Sequence, residues 1–262
     1  MQFVFWQNMI SIHQSALIKA LAREHGVLLA VQTDFEGERE SSGWTVPDMG
    51  NARILISPDA RTVEETLRIL SLYEELGVKE VWLTPHIMED MPNTTASLKA
   101  RFEKLKAVYR GDIVLHLSAE NMLDNLFEER LEKGDLLPLG KNGKHLLLET
   151  SYFNPPMELS NILLRIKSKG YTPVLAHPER YNYMNEKDYR LLKGLNVKFQ
   201  LNLFSWVGSY GTGVRKKSEW LIKNGFYDLA GSDIHGLAAL ETNIYKKIPQ
   251  TSPEQMFRTE LW

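Results

Sequence analysis

The sequence predicts an α/β fold, a (β/α) barrel rather than a doubly wound open sheet. Three observations predict it. Near-continuous apolar strands alternate with helices, the pattern of a parallel sheet covered on both faces. No Pro/Ser-rich tract, charge run or low-complexity segment divides the six to eight units. The strand candidates also end repeatedly in ionisable side chains, and in a barrel all the carboxyl ends meet on one face.

Each element has its own local reason. "TVEETLRILSLYEELG" (62–77) places Thr62 and Glu65 as a capping box, repeats Val63, Leu67, Leu70 and Tyr73 at helical spacing, and closes on Gly77. "VKEVWLTPH" follows as a short β-branched and aromatic run. "NTTASLKARFEKLKAVYRGD" is a helix with Leu98, Phe102, Leu105 and Tyr109 on one face. "DIVLHLSAE", "KHLLLETS", "YTPVLAHPE", "NVKFQLNLF" and "FYDLAGSDIH" are further strands, separated by helices near 122–133, 157–169, 185–194 and 213–224. Residues 1–45 stand apart as an N-terminal extension with the polar stretch "FEGERESSGW", leaving 46–262 as the barrel domain.

Composition narrows the chemistry. A chain of 262 residues with 43% hydrophobic content can bury a full core. Its 31 basic and 33 acidic residues give a formal charge of −2, so no net field collects nucleic acid or an anionic membrane surface. The absence of cysteine excludes disulfides, thiolate metal sites and a cysteine nucleophile. It also suits a reducing compartment. No apolar run reaches the ~18 residues of a membrane helix, and the start lacks a basic n-region and a small-x-small cleavage site. A soluble, cytoplasmic protein is expected.

The strand ends supply the candidate site. "VWLTPH" ends in His86, "LHLSAE" in Glu120, "LLLET" in Glu149, "PVLAH" in His177 and "FQLN" in Asn202, while "DLAGSDIH" carries Asp233 and His235. Imidazole nitrogens and carboxylates are the donors of zinc, iron and manganese sites, and carboxylates bridge two cations readily. His13, His25, His116 and His145 lack this placement: His116 lies within a strand as a core or wall residue, and His145 opens one at the opposite face. Arg180, three residues after His177, is either an ion-pair partner of Glu179 or a bidentate phosphate binder. "GSYGTGVRKKSEW" has the look of a glycine-rich phosphate loop running into a helix, with Arg215, Lys216 and Lys217 as a solvated helix start.

With "LTPHIMEDM", "SAENML", "LLLETSY", "VLAHPERYNYM", "FQLNLFSWVGSYGTGVRKKSEWL" and "DLAGSDIH" in this order, residues 46–245 resemble the bacterial capsule and exopolysaccharide tyrosine phosphatases. These belong to the polymerase-and-histidinol-phosphatase (PHP) family. The resemblance implies a distorted (β/α) barrel and a cluster of one to three divalent cations, with manganese, iron or zinc as candidates. It also implies hydrolysis of phosphotyrosine on a protein partner, a tyrosine kinase of polysaccharide synthesis. His86, Glu120, Glu149, His177, Asp233 and His235 fall on family metal positions, and Arg180 on the phosphate-binding arginine.

One motif departs from the family. Its first strand opens with an aspartate followed by His-x-His; here Asp48 fits the aspartate, but Gly50 and Ala52 stand at the histidine positions. Asp59 survives from the acidic turn that follows, while Asp34 upstream has no histidines beside it and lies too far away, and His13, farther still, lacks a companion. The loss leaves two alternatives beside an active phosphatase: a weak or inactive pseudophosphatase that binds a phosphotyrosine partner, or a PHP phosphoesterase acting on a small metabolite. Homo-oligomerisation stays open.

Overall fold

The computed structural model describes residues 2–9, 12–24, 26–33, 50, 51, 53–56 and 60–243. Contacts divide the chain into two compact units, 1–68 and 69–262.

The first unit holds a βαβ element and one further strand. Strand β1 (Gln2–Met9), helix α1 (Ile12–Glu24) and β2 (Gly26–Thr33) are followed by β3 (Arg53–Ile56), and the three strands form a parallel sheet in the order β1-β2-β3. A parallel pair needs a crossover, and α1 supplies it. The stretch "FEGERESSGW", Asp34, Asp48, Ala52 and Asp59 lie outside the described residues. Gly50 is described: it sits in a turn ahead of β3 with φ +61°. A Cβ there would meet Lys19 Cγ at 3.0 Å. It therefore lies on the amino side of β3 and not within that strand.

Helix α2 spans Ala60–Glu75. It starts two residues before Thr62, which places Thr62 inside the first turn and overturns the expected cap. At the other end Gly77, at φ +79°, donates from its N–H to the Glu74 carbonyl, as the sequence suggests.

The second unit is a parallel sheet wrapped into a half-barrel. Strands β5 (His86–Ile87), β7 (Glu120–Met122), β8 (His145–Glu149), β9 (Thr172–Ala176), β10 (Lys198–Asn202) and β11 (Leu229–Gly231) run in that spatial order, all parallel. Strands β4 (Glu80–Leu83) and β6 (Val114–Leu117) form a second parallel pair. The bonds Ser118 N–H to Leu83 C=O (2.9 Å) and Glu120 N–H to Pro85 C=O (3.1 Å) carry that pair into β5 and β7. "VWLTPH" and "LHLSAE" are thus interrupted strands whose last segments begin, rather than end, with His86 and Glu120. Pro85 has no N–H to give the ladder, which accounts for a break in the first of them.

Alternation along the central strands fills both faces of this sheet. Leu146, Leu148, Leu175, Phe199 and Leu201 face one way, into a cluster with Phe127, Ile162, Ile166, Tyr189, Leu192 and Leu221 from the covering helices. Leu147, Val174, Ala176 and Leu229 face the other, toward Trp82. Those helices are α4 (Asn125–Lys133), α5 (Leu159–Ser168), α6 (Glu186–Gly194) and α8 (Thr212–Lys223), with α3 (Thr95–Val108) before them and the single turn α7 (Leu203–Trp206) after β10. Among the described residues no helix is long and apolar enough to cross a membrane.

Candidate metal centre

The parallel register places the polar residues at one edge. His86 pairs directly with Glu120 across β5 and β7, and Met122 pairs with Glu149 across β7 and β8. His177 follows β9, and Asp233 and His235 follow β11. Residues 149 positions apart, His86 and His235, stack with ring centroids 5.1 Å apart and their Nε2 atoms 2.8 Å apart. All six residues expected to be ligands lie in the second unit, together with Arg180.

Two overlapping groups result, each with donor atoms mutually within 4.8 Å: His86 with Glu120 and Glu149, and Glu120 with His177 and Asp233. Glu120 is shared. Its Oε1 lies 3.1 Å from His177 Nε2, and Glu149 Oε2 lies 3.4 Å from the same nitrogen. His86 Nδ1 is 3.7 Å from Glu149 Oε1. Glu120, Glu149 and His177 are buried. Burial pushes the His177 imidazole down, but hydrogen bonds to Glu120 and Glu149 and the charges of Glu120 and Asp233 outweigh it, raising its pKa to about 10. Burial raises the Glu149 carboxyl, yet the His177 hydrogen bond and the charges of His86 and His177 hold it below its ordinary value. His235 belongs to neither group and reaches the cluster through His86.

The backbone at two of these positions is strained. His177 has φ +34° and Asp233 φ +51°, in the left-handed region that few non-glycine residues adopt. Such conformations persist only where the surroundings impose them, and they gather at functional sites. Here the His177 N–H bonds the Gln200 carbonyl (2.9 Å), and Pro178–Arg180 forms a single 3₁₀ turn.

Arg180 does not pair with Glu179. It turns to Asp233, with Nη1 2.6 Å from Oδ2. Glu179 is fully buried and instead accepts bonds from the Tyr227 hydroxyl (2.8 Å) and the Asn202 N–H (3.1 Å). Asn202 is placed by its neighbours. Its Oδ1 accepts from the Phe204 N–H (2.8 Å) to cap α7, which turns Nδ2 toward Asp233 Oδ2 at 2.8 Å. Asn202 therefore offers the site a donor and not the oxygen a cation would need.

Sequence reasoning missed the aromatic surroundings of Arg180. Its guanidinium lies 4.7 Å from the Tyr152 ring centre and 4.2 Å from that of Tyr210. The signal for Tyr210 was its place between glycines in "GSYG". Lys217 also departs from expectation: it is half-buried, donates to the Tyr181 (2.6 Å) and Met184 (3.1 Å) carbonyls, and burial pushes its pKa down. It ties α8 to the turn that carries Arg180. His116 stacks on Trp82 with centroids 4.4 Å apart, a wall residue as expected, and His145 opens β8. His13 and His25 fall outside the side chains described.

The cluster suits divalent cations. It combines three imidazoles with three carboxylates, the donor types of zinc, iron and manganese sites. His86 Nδ1, which faces Glu149, is buried without a hydrogen-bond partner, a costly state that a cation would relieve.

Fold and cluster define a half-barrel protein with a candidate metal centre at the carboxyl edge of its sheet. A family profile described as capsular polysaccharide synthesis, CpsB/CapC, matches residues 55–250. The chain belongs to this family. It is 28% identical over 191 residues to the tyrosine-protein phosphatase CpsB of Streptococcus pneumoniae, covering 66% of this chain and 76% of that one. It is 27% identical over 168 residues to the tyrosine-protein phosphatase YwqE of Bacillus subtilis, covering 62% and 65%. The putative tyrosine-protein phosphatase CapC of Staphylococcus aureus is 21% identical over 192 residues, 70% of this chain and 75% of that protein. A solved structure from work on YwqE and CpsB, described as unique metal-dependent tyrosine phosphatases, superposes with a TM-score of 0.60 at 23% identity. It covers 71% of this chain and 82% of the other, and shows a shared fold.

Proposed function

We propose that this chain is a metal-dependent hydrolase that removes phosphate from phosphotyrosine on a protein, in a cytoplasmic setting and on a distorted (β/α) barrel scaffold. The protein substrate is a bacterial tyrosine kinase of capsule or exopolysaccharide synthesis. The observation that carries the reading is the pair of overlapping groups sharing Glu120, with Arg180 beside them at Asp233. The names of the relatives support the reaction class.

His86, Glu120, Glu149, His177 and Asp233 would hold the cations, manganese, iron or zinc, with His235 on the rim. Bound cations neutralise phosphoryl oxygens and lower the pKa of water, so no enzyme nucleophile is required. That agrees with a chain lacking cysteine. Glu120 would bridge the two groups. Arg180 holds Asp233 in place through Nη1 and turns the rest of its planar fork to the phosphate, where it offsets the charge that spreads in the transition state. Asn202 fixes the same Asp233 oxygen from the other side.

The test is hydrolysis of a phosphotyrosine peptide by protein loaded with manganese. Release of phosphate that is abolished by exhaustive chelation, restored by manganese and indifferent to thiol reagents is the expected result. Phosphate release that survives chelation, or none from the loaded protein, would overturn the reading.

A further inference from the structure

Arg180 stands among the acids of the site, and two aromatic rings pack against its guanidinium. The ring centres of Tyr152 and Tyr210 lie 4.7 and 4.2 Å from the guanidinium carbon. Rings packed against a guanidinium leave its planar N–H edge as the approach for bidentate phosphate binding. The two rings differ in their surroundings. Tyr152 packs against His177 and Tyr181, with ring centroids 5.9 and 6.0 Å away, and forms a fixed floor. Tyr210 is 38% exposed and stands in the turn Gly208–Gly211. That turn is closed by a bond from the Gly211 N–H to the Gly208 carbonyl (3.1 Å), with both glycines in the left-handed region at φ +87° and +93°. Glycine adopts this conformation at no steric cost, so the chain can reverse within four residues and thrust Tyr210 over Arg180.

We propose that Tyr210 is a specificity-determining residue, an aromatic wall against which the substrate's phenyl ring stacks while Arg180 holds its phosphate. The proposal rests on the phosphotyrosine reading above and adds the reason for preferring aryl over alkyl phosphates. A phosphate seated on the Arg180 edge places a phenyl substituent beside the exposed face of Tyr210. A phosphoserine side chain has no ring to place there. Aromatic pairs of this kind are worth a several-fold change in affinity.

Calorimetric titration of the manganese-loaded full chain tests this with two hydrolysis-resistant probes. One peptide carries phosphonomethyl-phenylalanine; the other carries the phosphonate analogue of phosphoserine at the same position. Wild-type protein should prefer the aryl peptide. Tyr210→Ala should weaken the aryl peptide by about fivefold or more while shifting the serine analogue less than about twofold. Tyr210→Phe, which keeps the ring, should restore the preference. Equal weakening of both probes would mean that Tyr210 only supports Arg180 and would overturn the proposal, as would no weakening at all. If the aryl probe binds with this Tyr210 dependence but no phosphotyrosine peptide is hydrolysed, the wall stands and only the catalytic reading falls. If neither probe binds wild-type protein, both fall.

Discussion

Two clusters of buried charge lie at opposite edges of the same sheet, and they are built on opposite principles. At the amino edge, Asp228 accepts from Lys193 Nζ (2.6 Å), Lys198 Nζ (3.2 Å) and the Phe199 N–H (2.8 Å). One carboxylate meets two ammonium groups and a backbone donor, and Asp228, Lys193, Lys198 and Phe199 all keep ordinary φ, the one left-handed residue nearby being Asn196 in the turn between the two lysines. At the carboxyl edge, Asp233 pairs with Arg180 while Glu120 and Glu149 meet the His177 imidazole, and His177 and Asp233 are held at positive φ. The first cluster stabilises the fold by compensating its own charge. The second leaves acid in excess in a largely buried cluster and bears backbone strain, a combination retained where ligand binding offsets its cost.

The largest effect should come from the residue that both candidate cation groups share. Glu120→Ala should lower phosphotyrosine hydrolysis by roughly a thousandfold or more, about 4 kcal/mol of barrier. A steady-state assay on a phosphotyrosine peptide checks it. A loss below tenfold would remove Glu120 from the centre of the comparison.

Arg180→Ala should cost about a hundredfold in kcat/KM through both a higher KM and a lower kcat. Cation content should stay at the wild-type level, because the guanidinium meets phosphate rather than metal. Loss of cations from this variant would make Arg180 a positioning residue for Asp233 alone.

The amino-edge cluster should respond in stability and not in catalysis. Asp228→Asn leaves two lysines facing a neutral amide and should cost about 2 kcal/mol, less than for a fully buried pair because both lysines keep some water. Thermal melts should move down by about 5 °C, while cation binding is unchanged.

The smallest effect concerns His145 beside this cluster. Burial, then the Lys198 charge, hold its imidazole below the ordinary histidine value. The unfolded chain therefore takes up the proton first, so the contribution to stability is full above pH ~6.5 and is lost as pH falls through the depressed value. His145→Gln should flatten the loss of stability on acidification, read from urea midpoints at pH 7.5 and 5.5. An unchanged slope would show that His145 titrates as freely in the fold as in the unfolded chain.

The carboxyl edge was legible in the sequence because a parallel sheet puts every strand's end on one side, so His86, Glu120, Glu149, His177 and Asp233 needed only to be placed at strand ends to be brought together. Helices α5 and α6 were read to within two residues at each end, since their apolar faces are local signals, as is the Asn185 capping box of α6. What escaped depends on the third dimension. Tyr152 and Tyr210 meet on Arg180 from two loops, and no periodicity joins them. Arg180 prefers Asp233, 53 positions away, to its neighbour Glu179, because the 3₁₀ turn after His177 sends adjacent side chains in different directions. Lys217 looked solvated within "RKKS", but its helix face lies against the carbonyls of Tyr181 and Met184. The missing histidines at Gly50 and Ala52 were read as a damaged first strand; Gly50 lies in a turn ahead of β3, and Ala52 lies outside the described residues.

Cation stoichiometry tests the central claim most directly. Protein stripped by chelation, equilibrated with manganese and analysed for bound metal should hold two ions per chain, one for each group that contains Glu120. Glu120→Gln should hold close to none, and Asp228→Asn should match the wild type. A wild-type protein that binds no manganese, or a Glu120→Gln variant that retains both ions, would contradict the account.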